Sequence, residues 1–235
     1  MTKINKISFV CEQKLNLSTI SLGNEYYYNS LPFCIIDAVF SIGVTYSSTQ
    51  KTVLNFANYF KLKLYRENKK TLPNINEQLS VKDFLDFYEQ YDSNYFAEKI
   101  YNNRQRTSTR NGILKSLAVY EFAKVLSSFN INYFQDIKNL KLNSNFEANI
   151  KEIIGQGSGI SLSYFYMLSG DDAYIKPDRM VLRFLKEILG DEPKLDEAIE
   201  LLQATCEQLK NKYSSLTPRK LDYVIWNYQK EKGGG

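Results

Sequence analysis

Apolar residues recur every three or four positions along most of this chain, the period of an α-helix that buries one face. After Ser30-Leu31-Pro32, which reads as a capping serine and a first-turn proline, "PFCIIDAVFSIGV" is apolar on all sides except at Asp37 and Ser41, and so predicts a buried helix. Thr49 to Phe60 predicts a second helix, with Val53, Phe56, Ala57 and Phe60 on its inner face. Beyond the loop "NKKTLPNIN", Ser80 opens a short helix over "SVKDFLDFYEQY". A longer amphipathic helix runs from Gly112 to about Phe129 on Leu114, Leu117, Ala118, Phe122 and Val125. Another short helix ends near Ile154, and three more are expected at about 178–189, 193–213 and 217–230. Val181, Phe184, Leu185 and Ile188 line the first of these; Asp191 is a cap for the second, and Thr217-Pro218 starts the third. Only residues 5–30 carry strand tendency, and "KISFVCE" reads equally as strand or helix. The pattern therefore predicts an all-α protein without internal repeats; the closing "GGG" is set aside as a frayed end or expression scar.

Composition narrows the chemistry. With 235 residues, 43% of them hydrophobic, the chain can bury a sizeable core in one domain or in two interleaved lobes. No apolar run approaches the ~20 residues that span a bilayer. "MTKINKISFVCEQKL" is broken by Glu12, Gln13 and Lys14, a poor signal peptide, so a cytoplasmic protein away from membranes is expected. The sequence has no histidine, which removes Ser-His, Cys-His and His-metal chemistry together. Cys11, Cys34 and Cys206 stand far apart, against a metal or iron–sulfur site and against a disulfide framework, and fit a reducing compartment. What remains is the chemistry of carboxylates, lysine, tyrosine, serine and backbone amides, with no metal or cofactor expected.

Net charge is only +4, so a nucleic-acid partner would need basic residues gathered locally. "NNRQRTSTRNGILK" gathers them: Arg104, Arg106, Arg110 and Lys115, without an acid and interleaved with Gln105 and small hydroxyls. Arginines of this kind suit phosphates and amide side chains can read base edges, although a solvated loop is the plainer alternative. The run "KLKLYRENKK" is basic too but contains Glu67 and reads as surface.

The turn Gly155-Gln156-Gly157-Ser158-Gly159 separates two helical stretches. Alternate glycines permit positive φ and close backbone approach, and the amides of Ser158, Gly159 and Ile160 would face outward to take a phosphate at a helix start. By itself this is equally a ligand-free helix–helix connection. A dinucleotide fold needs a strand before it, and a Walker loop needs Gly-Lys-Ser/Thr; neither is present. Downstream, "YIKPDRMVLRFL" puts Asp178 at a helix start, where it is a plain N-cap, a catalytic carboxylate, or both.

Taken together, helix, glycine hairpin, helix, Asp at a helix start and then Val-x-Arg resemble the helix-hairpin-helix (HhH-GPD) DNA glycosylases, the superfamily of endonuclease III. The family hairpin reads Leu-Pro-Gly-x-Gly-x-Lys-Thr-Ala and is followed by Asp-x-His-Val-x-Arg. Ile154-Gly155-Gln156-Gly157 lie on the hairpin, Asp178 on the catalytic aspartate, and Val181 and Arg183 on the trailing pair. The likeness covers about residues 31–189. It implies a two-lobed helical fold over 1–235, with the hairpin at about 145–169, the Asp helix at 178–189 and C-terminal helices at 193–230.

By resemblance, such a protein flips a modified or damaged base out of double-stranded DNA and hydrolyses its N-glycosidic bond with Asp178, in base-excision repair or in defence against modified phage DNA. A carboxylate beside the sugar stabilises the oxocarbenium-like state and orients water. Gly159 stands where the family's lyases carry their Schiff-base lysine, Ile154 replaces the proline, Met180 the histidine, and the iron–sulfur cysteines are missing. The expectation is thus a monofunctional glycosylase. Asp37 in its apolar helix, the loop residues Val44, Thr45 and Tyr46, and Lys176 are candidates for the base pocket or the wedge, with core or surface roles as the alternatives. Two other functions stay open: a non-catalytic DNA-binding module, and a nucleoside or nucleotide N-glycosidase.

Overall fold

The computed structural model describes residues 1–140 and 143–233, which leaves Gly234 and Gly235 of the terminal glycine run outside the described residues. Every regular element there is helical. In chain order these are α1 (Lys3–Lys14), α2 (Leu31–Phe40), α3 (Tyr46–Tyr59), α4 (Val81–Gln90), a single turn α5 (Ser93–Tyr95), α6 (Lys115–Ser128), α7 (Ser144–Glu152), α8 (Ile160–Ser169), α9 (Arg179–Leu189), α10 (Leu195–Lys210) and α11 (Pro218–Lys232). Two single antiparallel pairs, Tyr28 with Tyr65 and Arg106 with Leu114, are the only extended pairings among the described residues.

The chain divides into two compact units. The first is built from both ends, Met1–Gly23 with Gly170–Gly235. In it α1 packs on α9 and α10, and α11 packs on both of those. Of the strand tendency at residues 5–30, the first part is overturned and only the Tyr28 pair remains: Thr2 caps α1 through the N–H of Asn5, and Ile7 and Cys11, one turn apart, enter the core with Val181, Phe184, Leu185, Leu202 and Ile225. A β-favouring "ISFVC" is helical because a helix is the form that lays those residues along one stripe facing α9 and α10.

The second unit, Asn24–Ser169, is organised around α2. All ten α2 residues are buried, and the helix packs against α3, α6 and α8, as the pattern without a polar face required. Phe56 meets Phe33 and Phe84 edge-on, and Tyr88 stacks on Phe96 with ring centroids 3.6 Å apart. Aromatic pairs of this kind add about 0.5–1.5 kcal/mol each beyond their buried area.

Several boundaries differ from the periodicity. α2 stops at Phe40 instead of continuing to Val44, and Lys115 takes the carbonyls of Phe40 and Ile42 there. Tyr46 rather than Thr49 opens α3. Residues 112–114 are extended because the Thr107 N–H donates to the Ile113 carbonyl and the Lys115 N–H to the Gln105 carbonyl, which delays α6 to Lys115. Asp191 does not cap α10; Lys194 occupies that position without a side-chain bond. The short helical stretches at Phe96–Ile100 and Phe134–Leu140 carry too few turns to show a period.

Candidate functional site

The strongest concentration of charge chemistry in the first unit is Lys176, Asp178 and Asp222. Asp178 is the N-cap of α9, and its Oδ1 accepts from the N–H groups of Met180 (2.9 Å) and Val181 (3.2 Å). A cap of this kind is worth about 1 kcal/mol and fixes the carboxylate's direction. The other oxygen, Oδ2, lies 4.0 Å from Lys176 Nζ. Backbone bonds hold the lysine on both sides: its carbonyl accepts from the Asp178 N–H at 2.7 Å, and its N–H donates to Asp222 Oδ1 at 2.9 Å. Val181 of the trailing pair is buried in the core and Arg183 is exposed.

Asp222 comes from α11 and is 4% exposed. Burial, followed by the Asp178 carboxylate, holds its carboxyl well above the usual carboxylate range, while the N–H and the ammonium of Lys176 pull it back. No motif in the sequence marks Asp222, although its place on the helix is a signal. It is the only acid between Pro218 and Lys230, three and seven positions before the inward Ile225 and Gln229.

In the second unit the glycine hairpin and the basic loop touch. Gly155 has φ +88°, and a Cβ there would stand 2.3 Å from Thr107 Cβ, so only glycine lets the loop seat against the turn. The hairpin's expected outward amides are redistributed: the Gly159 N–H donates to the Gln156 carbonyl, and Ile160 N lies 3.4 Å from Ser158 Oγ. Among the described residues, the N–H groups of Gly157 and Ser158 donate to none, and both residues are exposed. Gln156 does not face outward. It is buried, its Oε1 accepting from the Ser161 hydroxyl, because the turn needs an internal acceptor at the start of α8. Lys151 of α7 lies across the buried Gly159, its Cε 3.0 Å and Nζ 3.8 Å from where a Cβ would be. The position without an amine in the sequence is thus covered by one in space.

The basic loop splits into two groups. Arg110 is exposed, Arg106 Nε donates to the Gly112 carbonyl, and Arg104 pairs with Glu98. Lys115 is not a surface cation. It is 2% exposed, and its ammonium donates to the carbonyls of Phe40 (3.0 Å) and Ile42 (2.7 Å) at the end of α2 and to Gln105 Oε1 (3.3 Å). A cation there satisfies the last carbonyls of a buried helix and its dipole. Gln105 is drawn inward by the same contact and by Ser48.

Asp37 is fully buried in α2, with Oδ2 accepting from the Tyr28 hydroxyl at 2.8 Å. Tyr46 and Tyr164 share its surroundings. Burial and then the Asp37 charge push the phenols of Tyr28, Tyr46 and Tyr164 well up, with Glu25 adding to the last two. Tyr46, a candidate wedge, is therefore half-buried among the tyrosines around Asp37, while Val44 is half-buried and Thr45, the exposed N-cap of α3, lies in the loop that Lys115 holds.

The three cysteines are free and buried, and burial raises their thiols, Cys206 to about 11 and Cys11 to about 12, which leaves them poor nucleophiles. Among the described residues no His, Cys, Asp and Glu group is placed to hold a metal ion, and no helix is long and apolar enough to cross a membrane.

An all-helical chain of two units, with a capped aspartate beside a held lysine in one and a glycine hairpin against a basic loop in the other, is the class that the structure defines. The chain belongs to the family described as a domain of unknown function, DUF8548, whose model matches residues 5–230. Neither a curated protein nor a solved structure matches it.

Proposed function

We propose that this protein is a monofunctional DNA glycosylase that flips a modified or damaged base and hydrolyses its N-glycosidic bond. The observation that carries the reading is Asp178. Two backbone amides bind one of its oxygens, and the other is left beside a cation, so the carboxylate is held in one direction at a helix start. A carboxylate so fixed can stabilise positive charge on a sugar as the base leaves and can orient the attacking water. The Gly157 and Ser158 amides, with Arg106 and Arg110 on the loop packed against Gly155, support a DNA partner, since they suit phosphate oxygens and read no sequence. Purified protein should release free base from at least one member of a panel of damaged and phage-modified duplexes, detected by mass spectrometry. Asp178→Asn, which keeps the cap acceptor, should bind the same DNA and release base on the order of a hundredfold more slowly. Undiminished release by that variant sinks the mechanism. Salt-sensitive binding with no base released by the wild type leaves a DNA-binding module instead, and release from free nucleosides without duplex DNA makes the protein a nucleoside hydrolase.

A further inference from the structure

Away from Asp178, the first unit leaves an apolar groove open on its surface. α1 and α11 both pack on α9, and a groove of about 480 Å³ runs between them. Phe9 and Val10 of α1 line one side, Phe184 and Ile188 of α9 the floor, and Tyr228 of α11 the other side. We infer that this groove is the docking site for an amphipathic helix of a partner protein, one whose apolar face is bracketed by acidic residues. The inference goes beyond the glycosylase reading and does not depend on the role of Asp178.

A helix that serves only its own core needs one apolar stripe, and α1 has two. The first, Ile7, Cys11 and Leu15, enters the core of the unit. The second lies on the neighbouring face, where Phe9 and Val10 stand three and four positions after Lys6 and Lys14 stands eight after it. Phe9 is 56% exposed, although it is a large apolar side chain in the middle of a helix. A single exposed apolar residue is ordinary, but this one continues into the half-buried Val10, Ile188 and Tyr228. A contiguous apolar patch with a charged rim is the mark of a surface that another molecule covers.

Charge selects the occupant. Glu187 and Lys232, both at the groove, pair with each other at 2.7 Å, and Gln229 also donates to the Glu187 carboxylate. Lys6 and Lys14 are exposed, and their side chains make no hydrogen bond or ion pair among the described residues. The groove thus carries two uncompensated positive charges on either side of Phe9 and Val10, about 12 Å apart along α1. A partner helix with acidic residues about two turns apart and apolar residues between them meets both lysines and the apolar floor at once. A single-headed amphiphile answers one lysine and leaves the other. A second copy, paired two-fold about this face, brings the same lysines against each other.

The probes are two synthetic helical peptides of about four turns that differ only in charge. Both carry leucines along one face; glutamates bracket them in one peptide and lysines in the other. Binding is followed through the amide resonances of the isotope-labelled full-length protein. The glutamate peptide should shift Phe9, Val10, Ile188 and Tyr228 and bind on the order of tenfold more tightly than the lysine peptide, a preference that fades as salt rises. Lys6→Glu combined with Lys14→Glu should reverse the order of the two peptides, and Phe9→Gln should weaken both. All three positions are exposed, so the core stripe of α1 stays in place, and the spectra of the free variants check it. Failure of the glutamate peptide to shift these residues overturns the proposal, as do equal binding of the two peptides and a preference that the charge swap leaves untouched. A free protein that dimerises through these residues, or one in which decanoate shifts them and the glutamate peptide does not, overturns it too.

Discussion

At the scale of single residues, three charged side chains show how burial changes a role. Lys115 looks in the sequence like one more cation of a basic run, yet its ammonium closes the end of α2. Lys176, two residues before Asp178, is held in place instead of solvated. Asp222 is the most unusual of them, because its carboxyl is raised where paired carboxylates are ordinarily lowered. The folded state therefore binds a proton that the unfolded chain gives up near its ordinary pKa of about 3.9. Asp222 thus contributes least against stability below that value, and its folded form is increasingly penalised as pH rises from there toward the raised folded pKa. Asp222→Asn keeps an acceptor for the Lys176 N–H and removes the titration. Thermal midpoints measured across pH should fall less steeply with rising pH in that variant than in the wild type; parallel curves would show that the carboxyl is ionised when folded.

At the scale of elements, the hairpin and the loop 102–115 act as one structure through a single close approach. Alanine at Gly155 must adopt φ near +88° and collide with Thr107. Left-handed strain of this kind costs about 1–3 kcal/mol, and overpacking adds a comparable amount. Gly155→Ala should therefore lower the melting temperature and weaken duplex binding together, by displacing Arg106 and Arg110. Thr107→Gly in the same chain should recover the part due to collision and leave the part due to φ, a coupling that a double-mutant cycle reads directly. Independent effects of the two changes would mean that hairpin and loop are not joined there. The pattern already marked this turn as a place for glycines; which of them needed to be glycine, and against what, was decided by Thr107, forty-eight positions away.

At the scale of the whole molecule, the first unit joins the two ends of the chain, and α1 supplies part of its core. Ile7, Cys11, Leu15 and Leu17 are buried there, and large apolar side chains of this kind contribute about 1.5–3 kcal/mol each. That sum is a large share of the ~5–15 kcal/mol by which domains are stable. Removal of residues 1–23 should abolish hydrogen-exchange protection in α9, α10 and α11 while α2 and α6 stay protected. Uniform loss across both units would show that they fold as a single cooperative body.

Most helices were legible in the sequence because helix formation is local: a period of three to four residues, Ser80, Thr217 and Asp178 as caps, and the wholly apolar α2 require no knowledge of distant residues, whereas α1 was ambiguous until its packing on α9 and α10 decided it. The position of Asp178 at a helix start was legible for the same reason. The fate of polar groups was not. Lys115 is bonded to carbonyls 75 and 73 positions away, the Lys176 N–H to a carboxylate 46 away, and Tyr28 to Asp37 across a turn that no period reveals. A buried charge costs several kcal/mol unless a partner meets it, and that partner is chosen by packing among elements far apart in the chain. Local pattern thus determined where most helices lie and where the candidate aspartate stands; long-range packing alone decided which of the charges are buried and what they bond.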